Sequence, residues 1–96
     1  MDATSLDGLV KVLASTRSPA DMRDLLEALL TPKELARLVL RWQLVCRLEN
    51  GRHQRQIAGE LGISLCKITR GSRELKRRHR FREIVQTFLK EETQVV

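Results

Sequence analysis

Aromatic side chains are nearly missing from this 96-residue chain: it has no tyrosine, and Trp42, Phe81 and Phe88 are the whole complement. Leucine, valine and isoleucine must therefore fill whatever core it builds. No stretch is apolar for anything like the ~20 residues that cross a bilayer as a helix, which excludes a membrane span. Asp2 follows Met1 without a basic start or an apolar run behind it. No secretory leader is therefore expected, and the protein is placed in the cytoplasm. Only Cys46 and Cys66 carry thiols. They form no C-x-x-C pair and have no matching histidine set, so they read as two separate thiols in a reducing compartment, not as a disulfide or zinc site. Also absent are paired carboxylates, a Ser-His or Cys-His arrangement at a suggestive spacing, a glycine-rich phosphate loop and a cluster of metal ligands. These absences point away from an enzyme, with no catalytic and no metal-binding residue expected. His53 and His79 each sit beside arginine and read as solvated or phosphate-facing.

Acidic residues are scarce in one half of the chain. Residues 52–82 hold ten basic side chains and two acidic ones, whereas residues 1–40 hold five basic and six acidic. The net charge of +6 is thus concentrated in one stretch, the footprint of a face that binds a polyanion. Charge alone equally suits a solvated basic surface, an acidic protein partner, or a structural protein that coats nucleic acid without reading its sequence, since phosphate contacts carry no base information.

Helical spacing accounts for most of the apolar residues, and no segment shows convincing strand alternation, so the fold class is all-α. Leu6, Leu9, Val10 and Leu13 form one stripe of a first helix that stops near Ser15. Ser18 caps a second helix, with Pro19 at its first position and Asp21 and Asp24 near its positive end. Its stripe is Met22, Leu25, Leu26, Leu29 and Leu30. Thr31-Pro32-Lys33-Glu34 is a capping box that opens a third helix, expected to run to about Asn50 and to stop at Gly51 in a left-handed conformation. Apolar residues from Leu35 to Leu48 surround most of this helix, Leu38, Val39, Trp42 and Val45 among them. Such a helix is buried on several sides, and one chain of this size has too few other helices to cover it. An intertwined homodimer follows, with residues 5–50 as dimerisation helices within a single domain, 1–96.

The most specific pattern lies between Gln54 and Lys76. Ala58 is small where two helices approach closely, and Gly62 tolerates the positive φ that stops a helix. Ser64 is a good N-cap for a helix starting at Leu65. Ile57, Leu61, Ile63, Ile68 and Leu75 can then face one small core. This is the spacing of a helix-turn-helix unit, residues 54–78, whose second helix enters the major groove of DNA. A plain αα-corner needs the same alanine and glycine. The polar face, with Gln54, Arg55, Lys67, Thr69, Arg70, Arg73 and Lys76, favours double-stranded DNA. Arg77 to Arg80 reads as a basic link, followed by a last helix at 80–91 carrying Phe81, Ile84, Val85, Phe88 and Leu89, and by a frayed tail from Glu91.

The run Leu29-Leu30-Thr31-Pro32, Arg41 in the third helix, Gln54-Arg55, and Ile68-Thr69-Arg70-Gly71-Ser72 followed by Leu75-Lys76 resemble the tryptophan repressor family. That family is itself one of the reference cases for helix-turn-helix docking. The likeness covers about half of the chain. It implies an all-helical intertwined dimer that binds a palindromic operator, with L-tryptophan as corepressor and no other cofactor. By position, Arg41 and Arg70 would sandwich the indole ring, with Arg70 pairing the carboxylate; guanidinium planes stack on rings and bind carboxylates in this way. Gly71 would leave room for the ring. Leu30 and Thr31 of the other subunit would lie near the ammonium group. The DNA face would be Gln54, Arg55, Leu65, Cys66, Lys67, Thr69, Arg70 and Lys76.

Two residues depart from the family pattern. Glu74 stands where a serine close to the ligand's ammonium is usual; its carboxylate can pair with that ammonium, or with Arg70 or Arg78 one helical turn away. Lys67 replaces a small residue and adds charge to the second reading helix. These departures leave room for a DNA-binding regulator of the same fold that is independent of tryptophan or answers another ligand.

Overall fold

The structure is a computed structural model that describes residues 3–94, and those residues form six helices and no strand. They are α1 (Leu6–Ser15), α2 (Pro19–Leu29), α3 (Pro32–Glu49), α4 (Gln54–Leu61), α5 (Leu65–Arg77) and α6 (His79–Gln94). The all-α expectation holds. The chain divides into two compact units, Met1–Ala36 and Arg37–Val96.

In the first unit the helix starts are written in short polar residues. The Ser18 hydroxyl accepts from the Asp21 N–H at 3.3 Å, with Pro19 opening α2. At α3 the capping box closes in both directions: the Thr31 N–H donates to Glu34 Oε1 at 2.9 Å, and the Glu34 N–H donates to Thr31 Oγ1 at 3.2 Å. A helix start leaves its first N–H groups without partners; Pro32 has none to offer, and the box satisfies two of the remaining three. Neither α1 nor α2 contains a buried residue.

The second unit holds the core. Leu44 and Val45, adjacent on α3, are both buried, and each feeds a different cluster. Leu44 packs with Ile57 of α4 and Ile68 of α5, bordered by Ala58, Leu61 and Ile63. Val45 packs with Leu75 of α5 and Val85 of α6, bordered by Cys46, Phe81 and Leu89, while Leu48 touches both clusters. The single core expected around Ile57, Ile68 and Leu75 is thus two. Ile68 and Leu75 lie two turns apart on one face of α5, so the first meets α4 and the second meets α6. Gly51 and Gly62 adopt φ of 84° and 64°, the left-handed stops expected for α3 and α4. Ser64 occupies the N-cap of α5 with extended backbone, but its side chain makes no capping bond.

The C-terminal third differs from expectation. No basic link separates α5 from α6: Arg77 ends α5, His79 starts α6, and Arg78 alone is not helical. This residue serves both helices. Its N–H donates to the Glu74 carbonyl at 2.9 Å, and its carbonyl accepts from the Arg82 N–H at 3.0 Å. The last helix is therefore longer at both ends than the expected 80–91. It continues without fraying through Glu91 to Gln94, because neither glycine nor proline interrupts it and Val85 and Leu89 pack it down. The remaining tail residues, Val95 and Val96, lie outside the described residues.

Because Ile68 is completely buried, Ile68→Val should lower stability by about 1 kcal/mol, the usual cost of one buried methyl group. Urea unfolding at fixed protein concentration measures this; an unchanged midpoint would place Ile68 outside the core.

Candidate functional site

Helix α5 has two polar edges that do different work. Its outward edge carries Leu65, Cys66, Thr69, Arg73 and Lys76, all exposed. Its inner edge carries Lys67, Arg70, Gly71 and Glu74, which with Arg78 line a cleft of about 610 Å³. These positions recur at three- and four-residue spacing, so they share one side of the helix. The opposite wall is α3, through Arg37, Leu38, Arg41, Trp42 and Leu44, and Phe81 of α6 also lines the cleft.

Four of the six residues expected around a ligand, Arg41, Arg70, Gly71 and Glu74, thus line one cleft. Leu30 and Thr31, expected from the other subunit, belong to the first unit and are not among the lining residues; the Thr31 hydroxyl is occupied by its capping box. Lys67, expected on the DNA face and close enough to crowd the pocket, lines the cleft as well. Arg37, Trp42, Arg78 and Phe81 were missed. Arg37 lies one turn before Arg41, on the same side of α3, and that spacing was a usable signal.

Gly71 has a packing reason of its own. A Cβ there would stand 3.2 Å from Leu44 Cδ2 and 3.5 Å from Leu48 Cδ1. The missing side chain lets α5 approach α3 at Leu44, in the middle of the first hydrophobic cluster.

The cleft is strongly cationic. Five cations line it, Arg37, Arg41, Lys67, Arg70 and Arg78, against the single carboxylate of Glu74. That carboxylate is already engaged: Arg78 Nε donates to Glu74 Oε2 at 2.7 Å. This hydrogen bond, with the nearby charges of Arg78, Arg77 and Arg70, holds the Glu74 carboxyl below the usual glutamate range against a smaller opposing effect of burial. Glu74 has therefore taken the second of the two pairings open to it from sequence. Burial pushes the half-buried Cys46 thiol up, partly offset by the Arg47 charge.

All eight residues expected on the DNA face, Gln54, Arg55, Leu65, Cys66, Lys67, Thr69, Arg70 and Lys76, are exposed. The Thr69 hydroxyl bonds back to the Leu65 carbonyl at 2.9 Å. Not every cation in the basic stretch is available. Glu60 ties down Arg47 at 3.1 Å and Arg52 at 2.6 Å, Glu83 pairs Arg80, and Glu49 pairs Arg82 while also accepting from Gln86. Among the described residues of this stretch Arg55, Lys67, Arg70, Arg73, Lys76 and Arg77 make no ion pair. Five of these six lie on α5. No group of three or more potential metal ligands, and no helix long and apolar enough to cross a membrane, occurs among the described residues.

The lowered Glu74 carboxyl gives a pH dependence with a defined sign. Its ionised form is favoured in the fold, so its contribution to stability is present above the ordinary glutamate range and is lost as pH falls through the lowered value. Carbon-detected NMR should place the Glu74 midpoint below that of a free glutamate, and Arg78→Gln should move it back up. A midpoint indifferent to Arg78→Gln would remove the ion pair as its cause.

The family model described as Trp repressor protein matches residues 4–93. The chain is 41% identical over 69 residues to a Trp operon repressor homolog of Xylella fastidiosa (strain M23), covering 71% of this chain and 75% of that one. A Trp operon repressor homolog of Vibrio atlanticus (strain LGP32) is 41% identical over 66 residues, 67% of each chain. One from Vibrio cholerae serotype O1 is 49% identical over 55 residues, 56% of this chain and 53% of that one. No solved structure is matched with comparable significance.

Proposed function

Because this chain belongs to the Trp repressor protein family, we propose that it is a dimeric, cytoplasmic transcriptional repressor that binds a palindromic DNA operator with L-tryptophan as corepressor. The observation that carries this reading is the double duty of α5. Arg70 and Lys67 line the cleft on one edge, and the same helix carries most of the cations of residues 52–82 that make no ion pair. A ligand held between Arg41 and Arg70 fixes the helix that meets the DNA. Arg41 and Arg70 stack on its ring, and Arg70 pairs its carboxylate. Its effect is a population shift towards the orientation in which two recognition helices reach successive major grooves.

The second copy covers an apolar face. Leu38, Val39, Ile84 and Phe88 are exposed in the single chain, and Trp42 meets Phe88 edge-to-face with ring centroids 5.2 Å apart. Exposed side chains this large mark an interface when they form one face. Leu30 and Thr31 of that second copy complete the ligand site near its ammonium group, mainly through backbone carbonyls. On the DNA side Gln54, Arg55, Leu65, Cys66, Thr69 and Lys76 join Lys67 and Arg70 in contacting the duplex.

The decisive experiment is fluorescence anisotropy on the gene's own upstream DNA and on a scrambled duplex, each with and without millimolar L-tryptophan. A tryptophan-dependent gain on the specific duplex alone is expected; equal binding to both duplexes would sink the reading. Lys76→Ala should weaken binding to both duplexes alike and lower the salt slope by about one unit, as loss of one phosphate contact does. For the dimer, Ile84→Glu should weaken self-association by about tenfold or more, a change of ~1.4 kcal/mol or above. Sedimentation equilibrium reads this directly, and an unaltered dimer would exclude that face.

A further inference from the structure

Glu60 divides one carboxylate between two arginines. Arg47 Nε lies 3.1 Å from Glu60 Oε2, and Arg52 Nη1 donates to Glu60 Oε1 at 2.6 Å. The three residues come from three places: Arg47 from the last turn of α3, Arg52 from the turn after Gly51, and Glu60 from the last turn of α4. The root of the Arg52 side chain is fixed, because its N–H donates to the Arg47 carbonyl at 3.2 Å. Gln54 and Arg55 open α4, and Glu60 lies about 9 Å beyond Gln54 along the helix axis. The Arg52 guanidinium is therefore drawn along α4, away from the end where Gln54 and Arg55 stand. Arg52 is also the most open member of the cluster, with 47% of its side chain exposed against 31% for each of the other two. Released from Glu60, it is the cation that can reach a phosphate beside Gln54.

Resting on the reading of α4 and α5 as the DNA-binding pair, we propose that Glu60 is a positioning residue that keeps Arg52 off the phosphate backbone and so sets the absolute affinity of the protein for DNA. A charge-assisted hydrogen bond satisfies Arg52 in the free protein. A phosphate contact must replace that bond and must form beside the Glu60 carboxylate, a like charge. Glu60 does not swing away to relieve this, because Arg47 holds its other oxygen from α3. The attraction that counterion release would give one more phosphate contact is thereby withheld. A phosphate contact carries no sequence information. Glu60 therefore lowers affinity for operator and scrambled DNA alike, and the base-reading residues of α5 keep their discrimination. Its effect is to raise the protein concentration at which any duplex fills.

The test is anisotropy of the full-length protein on the gene's own upstream duplex and on a scrambled duplex, over a range of salt, with millimolar L-tryptophan throughout. Glu60→Gln should bind both duplexes about fivefold more tightly, with a salt slope steeper by about one unit, as one added phosphate contact requires. A carboxylate that only braced the joint would give the opposite sign, weaker binding and an unchanged slope. Glu92→Gln, on an exposed position of α6, makes the same change of net charge and should shift either affinity by less than about twofold. An equal shift in both variants would reduce the effect to bulk charge and overturn the inference. In an Arg52→Gln background, Glu60→Gln should gain no more than that control. Loss of a partly exposed pair destabilises little, and thermal unfolding confirms that Glu60→Gln is folded. Arg52→Gln alone gives a second reading that needs no change at Glu60: its salt slope should equal that of the native protein. A lower slope would show Arg52 already on phosphate and overturn the inference, while leaving α4 and α5 as the DNA-binding pair. Native protein that bound neither duplex would remove the DNA-binding reading, and this inference with it.

Discussion

The second unit depends on two neighbouring residues of α3 pointing into different cores. Leu44 and Val45 are about 100° apart around the helix, and that angle separates the α4–α5 cluster from the α5–α6 cluster. One helix thereby serves as the shared wall for three others. Where α5 crosses this wall a side chain is not tolerated freely, since the space next to Gly71 is filled by Leu44. The close crossing places Arg70 and Glu74 opposite Arg41, so the cleft is a by-product of how the core closes. Packing and chemistry cannot be varied independently here.

Electrostatics is arranged with similar economy. The chain carries far more cation than acid between residues 52 and 82, and its few acids are spent on helix ends and joints. Glu60 gathers Arg47 and Arg52 where α3 turns into α4, and Glu49 holds Arg82 and Gln86 of α6. Isolated exposed pairs of this kind stabilise weakly. Their value lies in position: they neutralise cations near the joints and leave those on α5 unpaired. The positive surface is therefore narrower than the sequence count suggests, and it follows one helix.

Much of this was legible in the sequence because local chemistry decides it. The capping box at Thr31 and Glu34, the left-handed glycines at positions 51 and 62, and the start of α5 at Leu65 are set by residues within one turn of each other. The gathering of Arg41, Arg70, Gly71 and Glu74 at one cleft was reached through resemblance to a family, since nothing in their spacing brings α3 next to α5. What sequence reasoning missed was set by contacts between helices. Leu75 belongs with Val85 and not with Ile68, a distinction that a stripe on one helix does not contain. Arg78 read as part of a basic link and as one possible partner of Glu74; that pairing forms, but the two backbone bonds by which Arg78 joins α5 to α6 were not foreseen. Arg37 escaped because the resemblance drew attention to Arg41 alone.

The joint at Arg78 has a consequence for how this chain can change over generations. With one non-helical residue between α5 and α6, the phase of the second helix is locked to that of the first. Insertion or deletion of a single residue there would turn α6 by about 100° against α5, carrying Val85 and Phe81 away from Leu75 and Val45. Loops ordinarily absorb length variation, but this junction has no slack to absorb it. Substitutions along the exposed edge of α5 leave this packing untouched, while the spacing from Leu75 to Val85 is held constant by the core. The junction behaves as a reading frame within the fold, open to changes of letter and closed to changes of length.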